Sequence, residues 1–201
     1  MNSRHKLGVA LALIVGSTVA QANVEIFSEN FDANAAGLNA VPAGWTVTAG
    51  TVDIIGAGSG FDFLPGNGRY IDLDGSTSNA GVLSKSFSLL AGTTYTASFD
   101  LAGNRRNGAV ESVAVNFGTA SMSYSLPQNA GWTGFSLSFM TGGAGDYTLS
   151  FENSGGDNIG MLLDNVKVEQ HVAAIPEPQT YALMGMGLLA IGFAARSRRP
   201  R

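Results

Sequence analysis

The chain has no cysteine. Disulfides, zinc–thiolate sites, iron–sulfur clusters and thiol nucleophiles are therefore excluded. Histidine is nearly absent: His5 lies close to the N-terminus and His171 at the end of the central region, so imidazole general-base chemistry and histidine-built metal sites have almost nothing to draw on. Positive charge is scarce in the middle of the chain. Between Asn23 and Ile175 there are 5 Lys and Arg against 14 Asp and Glu, a net charge of −9 in a chain whose overall net charge is −4. Nucleic-acid binding needs the opposite balance, because phosphates must be neutralised. The central region also lacks a long apolar run, a helical stripe, a nucleophile elbow, a phosphate-binding glycine loop and a zinc-ligand helix.

What is missing from the middle is found at the two ends. Arg4, His5 and Lys6 precede the apolar run Leu7–Val15, and Ala20-Gln21-Ala22 supplies small residues at signal-peptidase spacing. Residues 1–22 are thus expected to be a secretory signal peptide, cleaved after Ala22. The other end reads Ile175-Pro176-Glu177-Pro178-Gln179-Thr180, then apolar Tyr181–Ala195, then a cluster of Arg196, Arg198, Arg199 and Arg201. This order predicts a linker over 173–180, a transmembrane helix over 181–195 and a basic cytoplasmic tail over 196–201. Both ends then place the acidic body on the far side of the inner membrane.

A plain stop-transfer anchor has no need of Pro176-Glu177-Pro178. This tail resembles the PEP-CTERM sorting signal of Gram-negative bacteria, with Tyr181-Ala182-Leu183-Met184 and a Gly-Leu-rich continuation. The resemblance implies an exosortase, a membrane peptidase, as processing partner. It also implies passage through the periplasm to the cell surface or extracellular matrix.

Residues 23–172 read as one all-β domain. Apolar and polar residues alternate with a period of two in Ser84–Leu89, Tyr95–Leu101 and Phe135–Phe139, and Gly-containing turns such as Pro65-Gly66-Asn67-Gly68 and Gly142-Gly143 punctuate the runs. Strands are expected at Val24–Phe31, Trp45–Ala49, Thr51–Ile55, Tyr70–Leu73, Val82–Leu89, Thr94–Ala102, Ser112–Phe117, Ser121–Ser125, Thr133–Phe139, Tyr147–Glu152 and Ile159–Glu169. Short strands at this spacing argue for an antiparallel β-sandwich with Greek-key or jelly-roll connections. Ser28-Glu29-Asn30-Phe31-Asp32, Gly44-Trp45-Thr46-Val47, Arg69-Tyr70-Ile71-Asp72-Leu73-Asp74-Gly75, Leu90–Thr96, Phe99–Asn104 and Leu163-Asp164-Asn165-Val166 carry a family resemblance in that order. The body is similar to DUF642-like (choice-of-anchor C) domains. That likeness implies a galactose-binding-like jelly roll associated with cell surfaces or polysaccharide.

Jelly rolls of this kind commonly hold a structural Ca²⁺ between the first and last strands. Glu29, Asp32 and Asp164 are the candidate ligands, hard oxygen donors of the type Ca²⁺ prefers; the competing reading is that Asp164 and Asn165 only cap backbone groups. Sugar sites present flat aromatic faces beside a few polar groups, which makes Phe61, Phe63, Tyr124 and Trp132 the candidate ligand contacts. Trp45 is expected in the core. Arg105-Arg106, the one basic pair of the body, is read as a solvated turn or as a contact for an anionic polymer. Asp53, Asp72 and Asp74 alternate as solvent-facing positions would, so a glycosidase carboxylate pair is the less favoured alternative. The functional expectation is a non-catalytic, exported module that binds extracellular polysaccharide, with a structural matrix protein acting through protein contacts as the other possibility.

Overall fold

The protein is described here by a computed structural model covering residues 22–106, 110–172 and 178–197. The alternating runs become strands at each expected place. Among the described residues there are eleven: β1 (Ala22–Glu29), β2 (Thr46–Ala49), β3 (Asp53–Gly56), β4 (Arg69–Asp72), β5 (Val82–Leu89), β6 (Thr94–Ala102), β7 (Val110–Phe117), β8 (Ala120–Pro127), β9 (Thr133–Met140), β10 (Gly145–Ser154) and β11 (Leu162–Val172). One sheet runs β3-β4-β11-β6-β9, with β1 added to the far half of β11, and the other runs β2-β5-β10-β7-β8. Every pairing between these strands is antiparallel. The residues form a β-sandwich because one face of each sheet is apolar and the two faces cover each other.

The period of two decides what goes inside. Along β10, Leu149, Phe151 and Asn153 are buried while Thr148, Ser150 and Glu152 point outward. Leu83 opposite Phe151 and Val115 on its other side continue the inner layer. Rings fill its centre: Phe151 meets Phe99 edge-on at 5.0 Å, and Phe117 meets Phe139 at 4.7 Å. Gly118 makes the β7–β8 turn possible, since its φ is +58° and an added Cβ would lie 2.2 Å from the Phe139 ring.

Most strand ends lie within two or three residues of the expected ones, and two of the differences have clear local reasons. β1 stops at Glu29 because Phe31 adopts φ 57°, in a turn closed when its N–H donates to Glu29 Oε1 at 2.7 Å. β11 starts at Leu162, after the segment that donates Gly156, Asp157 and Gly160 N–H groups to buried carboxylates.

The β unit spans Ala22–Val172, and the C-terminal helix α1 (Pro178–Ser197) belongs to a separate unit. The expected apolar run is helical, yet no helix among the described residues is long and apolar enough to cross a membrane. At about 1.5 Å per residue the ~15-residue stretch 181–195 reaches only ~22 Å, short of the ~30 Å hydrocarbon core. Gly185, Gly187 and Gly192 dilute it further. The transmembrane expectation is corrected accordingly. Of the expected signal peptide, residues 1–21 lie outside the described residues, as do Pro176 and Glu177 of the sorting motif, while Pro178 opens α1.

Candidate functional site

The β3–β4 connection is a Gly-rich loop, and a buried tyrosine at the start of β4 holds it in place. The Tyr70 hydroxyl accepts the N–H groups of Phe63 and Leu64 at 2.7 and 3.0 Å and donates to Asp62 Oδ1 at 3.1 Å. Burial pushes this phenol up to about 12, against the pull of the two backbone donors. Two aromatic rings are displayed as a result. Phe61 is 47% exposed, and Phe63 is half-buried with its centroid 6.4 Å away.

Phe61, Leu38 and Ile55 are shared by two adjoining hollows. The larger, about 200 Å³, runs over Ile54 and the glycines at 37, 58 and 60. The smaller, about 30 Å³, is polar at its base, with Asp53, Asp72, Ser76 and Arg106 below Phe63. Arg106 forms an ion pair with Asp72 Oδ2 while its guanidinium lies 4.8 Å from the Phe63 ring centroid. Asp53 accepts from Asn39 N–H at 2.7 Å and from the Ser76 hydroxyl at 2.7 Å. Together they form a groove with an apolar, aromatic rim and fixed polar groups at its base, the usual make-up of a small-ligand site.

The structure overturns the solvent-facing reading of three acids. Asp53, Asp72 and Asp74 are 5%, 2% and 0% exposed. They are buried because distant loops fold over them and donate to them: Asp72 Oδ1 accepts Asp74 N–H at 3.1 Å and Gly160 N–H at 3.0 Å, and Asp74 Oδ2 accepts Gly156 N–H at 2.7 Å. Burial raises the Asp72 carboxyl to about 7, although Arg106 and its backbone donors lower it. Glu111 is also raised, by burial and by the charges of Asp157 and Asp74. Arg106 does lie in an exposed bend, as a solvated turn would, but its guanidinium turns inward to the buried Asp72.

The other aromatic candidates divide. Trp132 joins the Phe61–Phe63 region: half-buried, it packs edge-on to Tyr70 at 5.5 Å in a cluster that includes Phe63 and Leu64. Tyr124 is not among the residues lining either hollow. It packs on Phe135 at 4.6 Å and Phe99 at 5.5 Å, and its hydroxyl donates to the Ser136 carbonyl at 3.1 Å. Trp45 is in the core, as expected.

Glu29, Asp32 and Asp164 do share a neighbourhood, because the charges of Asp32, Asp100 and Glu29 all raise buried Asp164, whose carboxyl burial itself pushes to about 7. Each carboxylate is nevertheless turned to a backbone donor: Glu29 to Phe31, Asp32 to Arg69 and Asp164 to Asn165. Among the described residues no group of three acid or imidazole side chains is placed to hold a metal ion.

A family model described as a protein of unknown function, DUF642, matches residues 27–169, from within β1 almost to the end of β11. The chain belongs to the DUF642 family. In this DUF642 protein a second model, the PEP-CTERM protein-sorting motif, matches residues 174–199. No curated protein matches the chain. Among solved structures, the DUF642 sandwich is similar to the CBM22-1 xylan-binding domain from Paenibacillus barcinonensis Xyn10C. That match has 15% identity and a TM-score of 0.53, and it covers 77% of this chain and 99% of the other. The K3 cleaved adhesin domain of Lys-gingipain from Porphyromonas gingivalis w83 is also similar, with 17% identity, a TM-score of 0.52 and coverage of 74% and 99%. At these identities the likeness is one of fold.

Proposed function

We propose that this DUF642 protein is exported, processed at its PEP-CTERM tail by an exosortase after signal-peptidase cleavage, and binds extracellular polysaccharide through a non-catalytic jelly-roll domain of galactose-binding-like type. The observation that carries the binding reading is the exposed Phe61 rim above the Arg106, Asp72 and Ser76 base. A flat ring matches the apolar face of a pyranose, and fixed donors and acceptors select its hydroxyls. Support for the ligand class comes from the fold likeness to a xylan-binding domain.

The test is pull-down of the full chain by insoluble polysaccharides. Phe61→Ala is expected to weaken retention roughly tenfold, about 1.4 kcal/mol, with an unchanged melting temperature. Equal retention of parent and variant would remove the Phe61 groove from the proposal.

Calcium belongs to the same proposal. A divalent cation near Asp164 would offset the charges of Asp32, Asp100 and Glu29 that raise its carboxyl, and binding to the folded state at a hundredfold excess over Kd adds about 2.7 kcal/mol. Calcium is therefore expected to raise the melting temperature by several degrees, reversibly with EDTA. A melting curve indifferent to both would end the calcium reading.

A structural matrix role is favoured by one observation. β8 stands at a sheet edge and carries no charged residue along Ala120–Pro127, and charge is one of the common devices that discourage edge-to-edge association.

A further inference from the structure

The outer face of the β2-β5-β10 part of the second sheet is rich in hydroxyl side chains. The register sets Thr46 beside Ser84, Ser84 beside Ser150, and Ser86 beside Thr148. These residues, with Thr48, Val82 and Lys85, line a trough of about 430 Å³, within the size range of ligand sites. Neighbouring hydroxyls already touch, Ser86 Oγ and Thr148 Oγ1 at 3.0 Å. Each hydroxyl has one donor hydrogen and two acceptor lone pairs, so such a contact leaves capacity on both groups. The small side chains let a ligand come close to the sheet.

Charge narrows the occupant. The basic residue of β5, Lys85, borders the trough, but its ammonium is engaged elsewhere, donating to the Gly44 carbonyl at 2.6 Å and lying 4.7 Å from the Phe27 centroid. On the outer face of β10 the charged residues are Asp146 and Glu152, two positions before Thr148 and two after Ser150. These two carboxylates repel an anionic polymer, and the ammonium of Lys85 is already taken by the Gly44 carbonyl. Strands lie about 4.8 Å apart and same-face residues about 6.8 Å apart along a strand. The resulting two-dimensional grid of paired donors and acceptors, with the apolar Val82 at its side, suits a chain of hydroxylated rings, which carry both hydroxyls and apolar C–H faces.

We infer that this trough is a second binding face, for a neutral polysaccharide chain held by hydrogen bonds without aromatic stacking. The inference rests on the polysaccharide-binding reading but uses a different sheet from the Phe61 groove. One molecule would then hold two chains, which joins sugar binding to matrix cross-linking.

The full chain, its Ser86→Ala/Thr148→Val and Ser150→Arg variants, and Phe61→Ala are run in affinity gels containing a neutral β-glucan, xylan or polygalacturonate. Both trough changes lie on a solvent face, where effects on stability stay within about 0.5 kcal/mol, and melting curves check this. Retardation by at least one neutral polymer is expected, weakened roughly tenfold by either trough variant and only in part by Phe61→Ala, with none by polygalacturonate. Trough variants that bind like the parent, while Phe61→Ala abolishes retention, would overturn this inference and leave the Phe61 groove standing. Absence of retardation by any neutral polymer would overturn both, and a trough variant that changes only self-association would assign the face to a second copy of the chain instead.

Discussion

Phe151→Ala is expected to cost about 3–5 kcal/mol of folding stability, the range for removing a buried aromatic ring from a packed core. Phe151 is fully buried between the sheets and meets Phe99 at 5.0 Å and Trp45 at 6.3 Å, so no flexible group stands ready to fill the space. For a domain of this size the loss corresponds to roughly 10 °C in melting temperature. Ser150→Ala, one residue earlier on the same strand, is expected to change stability by less than about 0.5 kcal/mol, because it faces the hydroxyl trough. Urea unfolding of the two variants measures the alternation directly. Similar losses at both positions would mean that β10 is not divided between core and ligand face as described. The contrast also matters for function, since a face whose substitutions are silent for folding can be altered freely for binding.

Much of the sandwich was legible because a strand writes its two faces into alternate residues. β5 and β6 run from Val82 to Leu89 and from Thr94 to Ala102, as the pattern predicts. The same rule failed for Asp53, Asp72 and Asp74. Alternation reports which face of a strand a side chain is on, but not whether a loop from elsewhere closes over it. The donors that bury Asp72 and Asp74 come from Gly156, Asp157 and Gly160, more than 80 residues along the chain.

The candidate site was legible in part. Phe61 and Phe63 stand out as aromatics in a Gly-rich loop, and Trp132 is brought to them by packing on Tyr70. Tyr124 fell inside an expected strand, Ser121–Ser125, and there it packs against Phe99 and Phe135 instead of facing a ligand. The serines and threonines of the trough gave no signal at all. In a strand they read as the polar half of an alternation, and only the lateral order of β2, β5 and β10 gathers them into one surface. The C-terminal run suggested a span, but the helix formed on it is not long and apolar enough to be one.

Arg106→Ala is expected to destabilise the protein by about 2–4 kcal/mol at pH 8 and by much less at pH 5. Removing one partner of a buried ion pair costs about 3–5 kcal/mol, and the lower range applies because the Arg106 side chain keeps 25% of its exposure while Asp72 keeps 2%. The direction with pH follows from Asp72. Its carboxyl is raised from 3.8 to about 7 in the folded chain, so it binds its proton more tightly folded than unfolded. Its contribution to stability is fully present below about pH 4 and is lost as pH rises through about 7. Arg106 is the strongest influence opposing that rise, so without it the carboxyl climbs further and the loss above pH 7 deepens. Asp72→Asn in the same chain is expected to flatten the difference between pH 5 and pH 8. Urea midpoints at the two pH values decide the matter: an equal loss at both would mean that Arg106 acts through packing on Phe63 rather than through the charge of Asp72. Either way the guanidinium no longer lies over the Phe63 ring, and polysaccharide retention is expected to fall together with stability. The same side chain closes a buried pair and lines the groove, so the acids missed by the alternation rule are what fix the base of the proposed ligand site.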